Sequence, residues 1–178
     1  MISETKAIDA ANRLKHEFAL HVRDSYEHRA KSCLMCETLG VCCTDAHFVN
    51  VRISRLEAAA IRNVIGRLPE ERRAEVRGRI DAAIEKYKLS ADANAAEQKF
   101  ACPLFEKGVG CLVHNSGKPL PCIQHACYER KEDLPPDQLL EENEAAVERL
   151  NRRVYGGPQG LLPLPVAVKL VSGIVDNG

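Results

Sequence analysis

Cys33-Leu34-Met35-Cys36-Glu37-Thr38-Leu39-Gly40-Val41-Cys42-Cys43 is the stretch on which the reading of this chain turns. It holds four thiols, and Cys102, Cys111, Cys122 and Cys127 form a second group of four further on. Soft metal ions and iron–sulfur clusters take four thiolate ligands, so two such groups point to metal. The adjacent pair Cys42-Cys43 narrows this. Neighbouring side chains diverge, so two adjacent thiolates fit a polynuclear cluster, or two metals, more easily than one small tetrahedral ion.

Working outward, residues 4–30 read as one long amphipathic helix, with Ala7, Ala11, Leu14, Phe18, Val22 and Tyr26 at spacings of three and four. It delivers the chain directly into the first cysteine group. Downstream, His47-Phe48-Val49-Asn50-Val51-Arg52-Ile53 alternates like a short strand. Ser54-Arg55-Leu56-Glu57 then predicts a capping box opening a helix that carries Leu56, Ala60, Ile61, Val64, Ile65 and Leu68. Pro69 suits the first turn of another helix, which runs to about Leu89 with Val76, Ile80, Ile84 and Tyr87 as its apolar stripe.

Residues 90–99 are small and polar, a loop or a weak helix. Residues 100–128, rich in Gly and Pro, are held by their ligands more than by secondary structure, with Cys111-Leu112-Val113-His114 as a short strand. A last helix spans 136–155, with Leu140, Val147, Leu150 and Val154 inward and Gly156-Gly157-Pro158 as its stop. The apolar tail from Leu161 to Val175 either packs back or docks on another chain.

The expected fold is therefore mainly α: a small single-domain helical protein with two cysteine-rich metal-binding loops and at most short strands. Its expected parts are an N-terminal amphipathic helix over 1–32, a cysteine-cluster metal-binding domain over 33–128, and a C-terminal helix and apolar tail over 129–178 packing on the same domain.

Composition bounds the class. Of 178 residues 45% are hydrophobic and only 4% aromatic, with no tryptophan, so the core must be mostly Leu, Ile, Val and Ala. Twenty-five basic residues balance twenty-five acidic ones, and nothing supplies the basic excess of a nucleic-acid binder. The opening residues lack a signal-peptide core and no run reaches membrane-spanning length, so the expected location is the cytoplasm, with no membrane partner. There thiols stay reduced, and a cysteine pattern means metal rather than disulfides.

Cys33-Leu34-Met35-Cys36 followed by Cys42-Cys43 resembles the opening of the CxxCxxCC cysteine-cluster family, described as a zinc- or iron-chelating domain in the YkgJ-type proteins. The resemblance covers residues 33–128. It continues through Val51-Arg52-Ile53-Ser54-Arg55-Leu56-Glu57, Phe100-Ala101-Cys102-Pro103-Leu104-Phe105, Gly110-Cys111-Leu112-Val113-His114, Lys118-Pro119-Leu120-Pro121-Cys122, and Cys127. The chain departs from the family in three places. Five residues rather than two precede the double cysteine, His114 stands where a tyrosine is usual, and Lys118 where an arginine is usual. A similar element in the flagellin lysine N-methylases is associated with an iron–sulfur cluster, which is what the resemblance implies here.

The expected metal ligands are Cys33, Cys36, Cys42, Cys43, Cys102, Cys111, Cys122 and Cys127, binding an iron–sulfur cluster of the 4Fe–4S kind or zinc. Spacing does not decide which of them share a metal, because the two groups can interleave in space. His47 and His125 are candidate ligands or hydrogen-bond donors to a cluster sulfur, set against the plainer reading of satisfied loop histidines. His16, His21 and His28 read as surface residues, and Glu141, Glu142, Glu144 and Glu148 as a solvated helix face.

No phosphate loop, nucleophile elbow or His-Glu-x2-His helix is present, so the chain is not expected to be an enzyme on its own. The leading expectation is a metalloprotein for electron transfer, metal or cluster handling, or support of a larger enzyme, with a metal ion or cluster and a partner protein or redox enzyme as its partners. The alternatives are a structural zinc module that presents its helices and tail to a partner, and an S-adenosylmethionine-dependent protein lysine methylase-like protein.

Overall fold

The computed structural model describes residues 1–32, 35–44, 50–91 and 99–173. Cys33, His47, the first part of the expected strand (47–49), most of the 90–99 segment and the end of the apolar tail lie outside the described residues. Six α-helices run through the rest: α1 (Glu4–Ser25), α2 (Arg55–Gly66), α3 (Glu70–Tyr87), α4 (Leu120–Gln124), α5 (Asp137–Tyr155) and α6 (Leu164–Ser172). The strands are two residues each: β1 (Ala30–Lys31), β2 (Arg52–Ile53), β3 (Phe105–Glu106), β4 (Gly110–Cys111), β5 (Cys127–Tyr128) and β6 (Leu162–Pro163). The fold is mainly helical with only short strands, as the patterning predicts. Among the described residues no helix is long and apolar enough to cross a membrane.

The contacts of the chain fall into two compact units. The first joins residues 1–39 to 118–158, and the second joins 40–117 to 159–178.

In the first unit, Ser3 caps α1 by accepting from the Lys6 amide at 3.3 Å. The helix buries Ala7, Ile8, Ala11, Lys15, Phe18 and Val22. It does not continue to residue 30 as its stripe suggests. It stops at Ser25, where the Tyr26 amide closes the last turn on the Val22 carbonyl (2.9 Å) and Tyr26 leaves helical geometry (φ −133°). A single 3₁₀ turn, Glu27–Arg29, follows. The physical reason is long-range pairing: Ala30 and Lys31 leave the helix to pair antiparallel with Tyr128 and Cys127. Phe18, Val22, Leu120 and Val147 make the core, with Leu14, Ile123, Leu139 and Leu140 packed on it. α5 runs back along α1: Tyr155 donates to Glu4 Oε2 at 2.6 Å, joining the end of one to the start of the other. Gly156 (φ +69°) then ends α5.

In the second unit the capping box forms as expected. Ser54 Oγ accepts from the Glu57 amide and Glu57 Oε2 from the Ser54 amide, each at 3.2 Å. Removing such a cap costs about 1 kcal/mol. α2 buries Leu56, Glu57, Ala58, Ala59, Ala60, Ile61 and Ile65, and α3 buries Val76, Ile80 and Ala83. α3 ends at Tyr87, before Leu89, because Lys88 takes up a left-handed conformation (φ 51°). The apolar tail holds a helix that its pattern did not announce. Pro163 and Pro165 suit a helix start, and α6 buries Leu164, Val166, Ala167, Val168 and Val171 while packing on α2 and α3. Each of those Leu and Val side chains contributes about 2 kcal/mol through burial. β6 is fastened to β2, where Arg52 pairs with Pro163 and Ile53 with Leu162.

Candidate metal centre

The two units sort the cysteines differently from the sequence. Cys36, Cys122 and Cys127 belong to the first, and Cys42, Cys43, Cys102 and Cys111 to the second. Each sequence cluster is therefore divided between the units, and each unit draws on both clusters.

The second unit brings its four thiols together from three pieces of chain. Gly40 (φ +80°) opens a 3₁₀ turn, Val41–Cys43, closed by the Cys43 amide donating to the Gly40 carbonyl at 2.8 Å. The Thr44 hydroxyl donates to the Val41 carbonyl at 2.7 Å and holds the turn from its other end. Gly40 is needed twice over. Its positive φ disfavours any side chain, and a Cβ there would fall inside the ring of Phe105. The Cys102 amide donates to the Cys43 carbonyl at 2.9 Å, which splices the two sequence clusters. From Cys102 the chain turns into the β3–β4 hairpin, whose register sets Cys111 opposite Phe105. Of the expected 111–114 strand only Cys111 is extended, together with Gly110 before it; residues 112–114 form a turn.

The electrostatics follow from this crowding. Burial first, then the Cys42, Cys102 and Cys111 thiols, push Cys43 up to about 12. Burial pushes Cys102 up to about 11, and Cys111 adds to the rise. Backbone groups of Leu104 and Phe105 oppose it, as does the Arg79 guanidinium, each favouring the thiolate. Arg79 is itself fixed to the hairpin by Glu106 at 3.4 Å, beside the tighter Arg72–Glu106 pair at 2.6 Å.

In the first unit α4 places Cys122. Leu120 and Ile123 face the core at a spacing of three, which turns Cys122 to another side of the helix. Cys127 lies on β5, paired with Lys31 of β1, and Lys31 precedes Cys33 by two residues in sequence. The Cys36 thiol donates to the Thr38 carbonyl at 3.1 Å. Gln124 Oε1 and the Tyr128 hydroxyl, which flank Cys122 and Cys127 in sequence, are buried without a hydrogen-bond partner among the described residues.

Among the described residues no three His, Cys, Asp or Glu side chains already converge as a finished metal shell. The four thiols of the second unit are electrostatic neighbours without forming such a group. Their chemistry nevertheless fits a soft cation. Crowded thiols that disfavour one another's ionisation give up their protons once a cation occupies the space between them. The backbone groups of Leu104 and Phe105 that favour the Cys102 thiolate would favour a metal-bound one in the same way.

His125 is exposed just after α4, with part-burial and the Lys118 ammonium holding its pKa below the ordinary histidine value. His16, His21 and His28 are exposed along and after α1. Of the four α5 carboxylates Glu141 and Glu142 are exposed, while Glu148 accepts from Arg152 at 2.8 Å. The role of Phe105 against Gly40 escaped the sequence reading. A glycine two residues before a double cysteine signals a turn, but nothing local announces the ring that lies over it.

No protein-family model matches the chain, and no curated protein or solved structure matches it significantly.

Proposed function

We propose that this chain is a cysteine-ligated metalloprotein whose principal centre is an iron–sulfur cluster held by Cys42, Cys43, Cys102 and Cys111. Its role is electron transfer, or metal and cluster handling in support of a larger enzyme. The observation that carries this reading is the assembly of four neighbouring thiols from both sequence clusters, spliced by the Cys102 amide donating to the Cys43 carbonyl. The similarity of residues 33–128 to the CxxCxxCC cysteine-cluster family supports the same reading.

When bound, such a cluster supplies one-electron chemistry. The chain's own part is to hold and tune the thiols. The Cys43 carbonyl fixes Cys102, the Leu104 and Phe105 backbone favours its thiolate, and the Phe105 ring covers the Gly40 turn. Cys36, Cys122 and Cys127, with Cys33 close to Cys36 in sequence, are assigned to a second centre in the first unit.

A structural zinc ion is the second reading. It is favoured by the β3–β4 hairpin, which has Cys102 just ahead of its first strand and Cys111 on the return strand.

Anaerobic purification with metal analysis separates the two. A brown protein with broad visible absorption, bleached by dithionite, is expected. A colourless protein with stoichiometric zinc, even when made with ample iron, would establish the zinc module instead. A protein that retains neither metal overturns both, and saturable binding of S-adenosylmethionine would move the chain to the methylase class.

A further inference from the structure

The second unit also carries a cleft of about 400 Å³ whose lining includes no cysteine. It lies where the end of α2 meets the first turns of α3 and the end of α6. Four guanidiniums line it, Arg62 and Arg67 from the α2 end and Arg73 and Arg77 from α3, together with Asn63 and Ser172. Arg73 is anchored: it pairs with Glu70 and donates to the Gly66 carbonyl at 3.3 Å. Arg67 and Arg77 are exposed, and among the described residues neither has an ion-pair partner.

The other side of α3 shows the contrast. There Arg72 pairs with both Glu75 and Glu106, and Arg79 with Glu106, so two guanidiniums face two carboxylates. In a chain with as many acidic as basic residues, this cleft gathers four guanidiniums, of which Arg73 pairs with Glu70 while Arg67 and Arg77 have no ion-pair partner among the described residues. Basic residues just past a helix C-terminus do complement its dipole. That accounts for Arg73, bonded to the Gly66 carbonyl, but not for Arg77, which belongs to the next helix.

We infer that this cleft binds a small polyanion of the phosphate class, gripped by Arg62, Arg67 and Arg77 around the anchored Arg73. Planar guanidiniums match tetrahedral oxyanions with paired N–H donors. The volume falls in the range of small-ligand sites. No aromatic side chain lines the cleft to stack a base, which favours a compact phosphate over a single-stranded nucleic acid. This inference is independent of the metal reading.

The test is calorimetric titration of the full chain, as purified, with pyrophosphate at low ionic strength. One saturable site is expected, weakening as salt is raised. The R67Q/R77Q variant should bind at least about tenfold more weakly, since each charge-assisted hydrogen bond is worth about that much, with helical circular dichroism and metal content unchanged. R152Q, which alters a paired arginine of α5, should bind as the parent does. If the double variant loses its fold, R77Q alone, at an exposed position, must still show weakened binding. No saturable binding at millimolar pyrophosphate, or equal affinity in the arginine variants, overturns the inference. A short single-stranded oligonucleotide that binds more tightly than pyrophosphate overturns the assignment to a small ligand.

Discussion

The Cys102 amide donates to the Cys43 carbonyl across 2.9 Å, and this one bond ties the double cysteine to the opposite cysteine cluster. It makes Cys43 and Cys102 members of one thiol group although they belong to different sequence clusters. The bond uses main-chain atoms alone, so replacing either side chain leaves it in place and removes only the sulfur. Serine substitutions at these positions therefore report on ligation more than on the fold of the loop.

Cys102→Ser is expected to lose the metal of the second unit, and Cys122→Ser that of the first, each lowering metal per chain by one centre. Metal binding of this kind is coupled to folding, so both variants should also melt earlier. Elemental analysis of the two single variants and the double variant is the check. If the double variant holds as much metal as Cys102→Ser alone, all the thiols serve one shared centre and the assignment by unit fails.

Gly40→Ala places a methyl group where the Phe105 ring lies and forces alanine to φ +80°. The left-handed conformation costs about 1–2 kcal/mol and the overlap adds about 1–3 kcal/mol. Thermal unfolding should show the loss. Gly40→Ala/Phe105→Ala should recover the overlap part and leave the conformational part. A Gly40→Ala protein as stable as the parent would show that the ring does not cover the turn.

Asp133 is buried and receives Arg130 Nε at 2.7 Å and Nη2 at 3.0 Å. That hydrogen-bonded guanidinium holds its carboxyl below the usual carboxylate range, outweighing burial, which acts the other way. A depressed folded-state pKa contributes stability at neutral pH, where the carboxylate is ionised in both states, and the contribution is lost as pH falls through the folded pKa. Asp133→Asn should therefore be less stable than the parent at pH 7, with the difference narrowing as the solution is acidified. Melting curves at several pH values measure this, and a gap that does not change with pH would mean the pair contributes nothing.

Periodicity was enough for the helices whose apolar faces are set locally. The Ser54–Glu57 box announced α2, Pro69 the entry to α3, and Gly156 the end of α5. Where the reading went astray, a distant partner decides. α1 stops at Ser25 because residues 30 and 31 pair with Cys127 and Tyr128, and no local signal carries that. The two prolines at the head of α6 resemble loop residues until a neighbouring helix face stabilises the turn they start. The cysteines stand out in the sequence by type and number. Their grouping was not legible, since chain proximity within each cluster hid the division made by the β1–β5 pairing and by the Cys43–Cys102 bond.

α6 is translated after α2 and α3, and it packs against both. During synthesis Cys42, Cys43, Cys102 and Cys111 all leave the ribosome ahead of the helix that completes their unit. They emerge as unsupported thiols, open to oxidation or to the wrong ion, until α6 follows and packs on their unit. A ribosome that stalls before Leu164 thus releases a chain whose four sulfurs lack the helix that packs on α2 and α3.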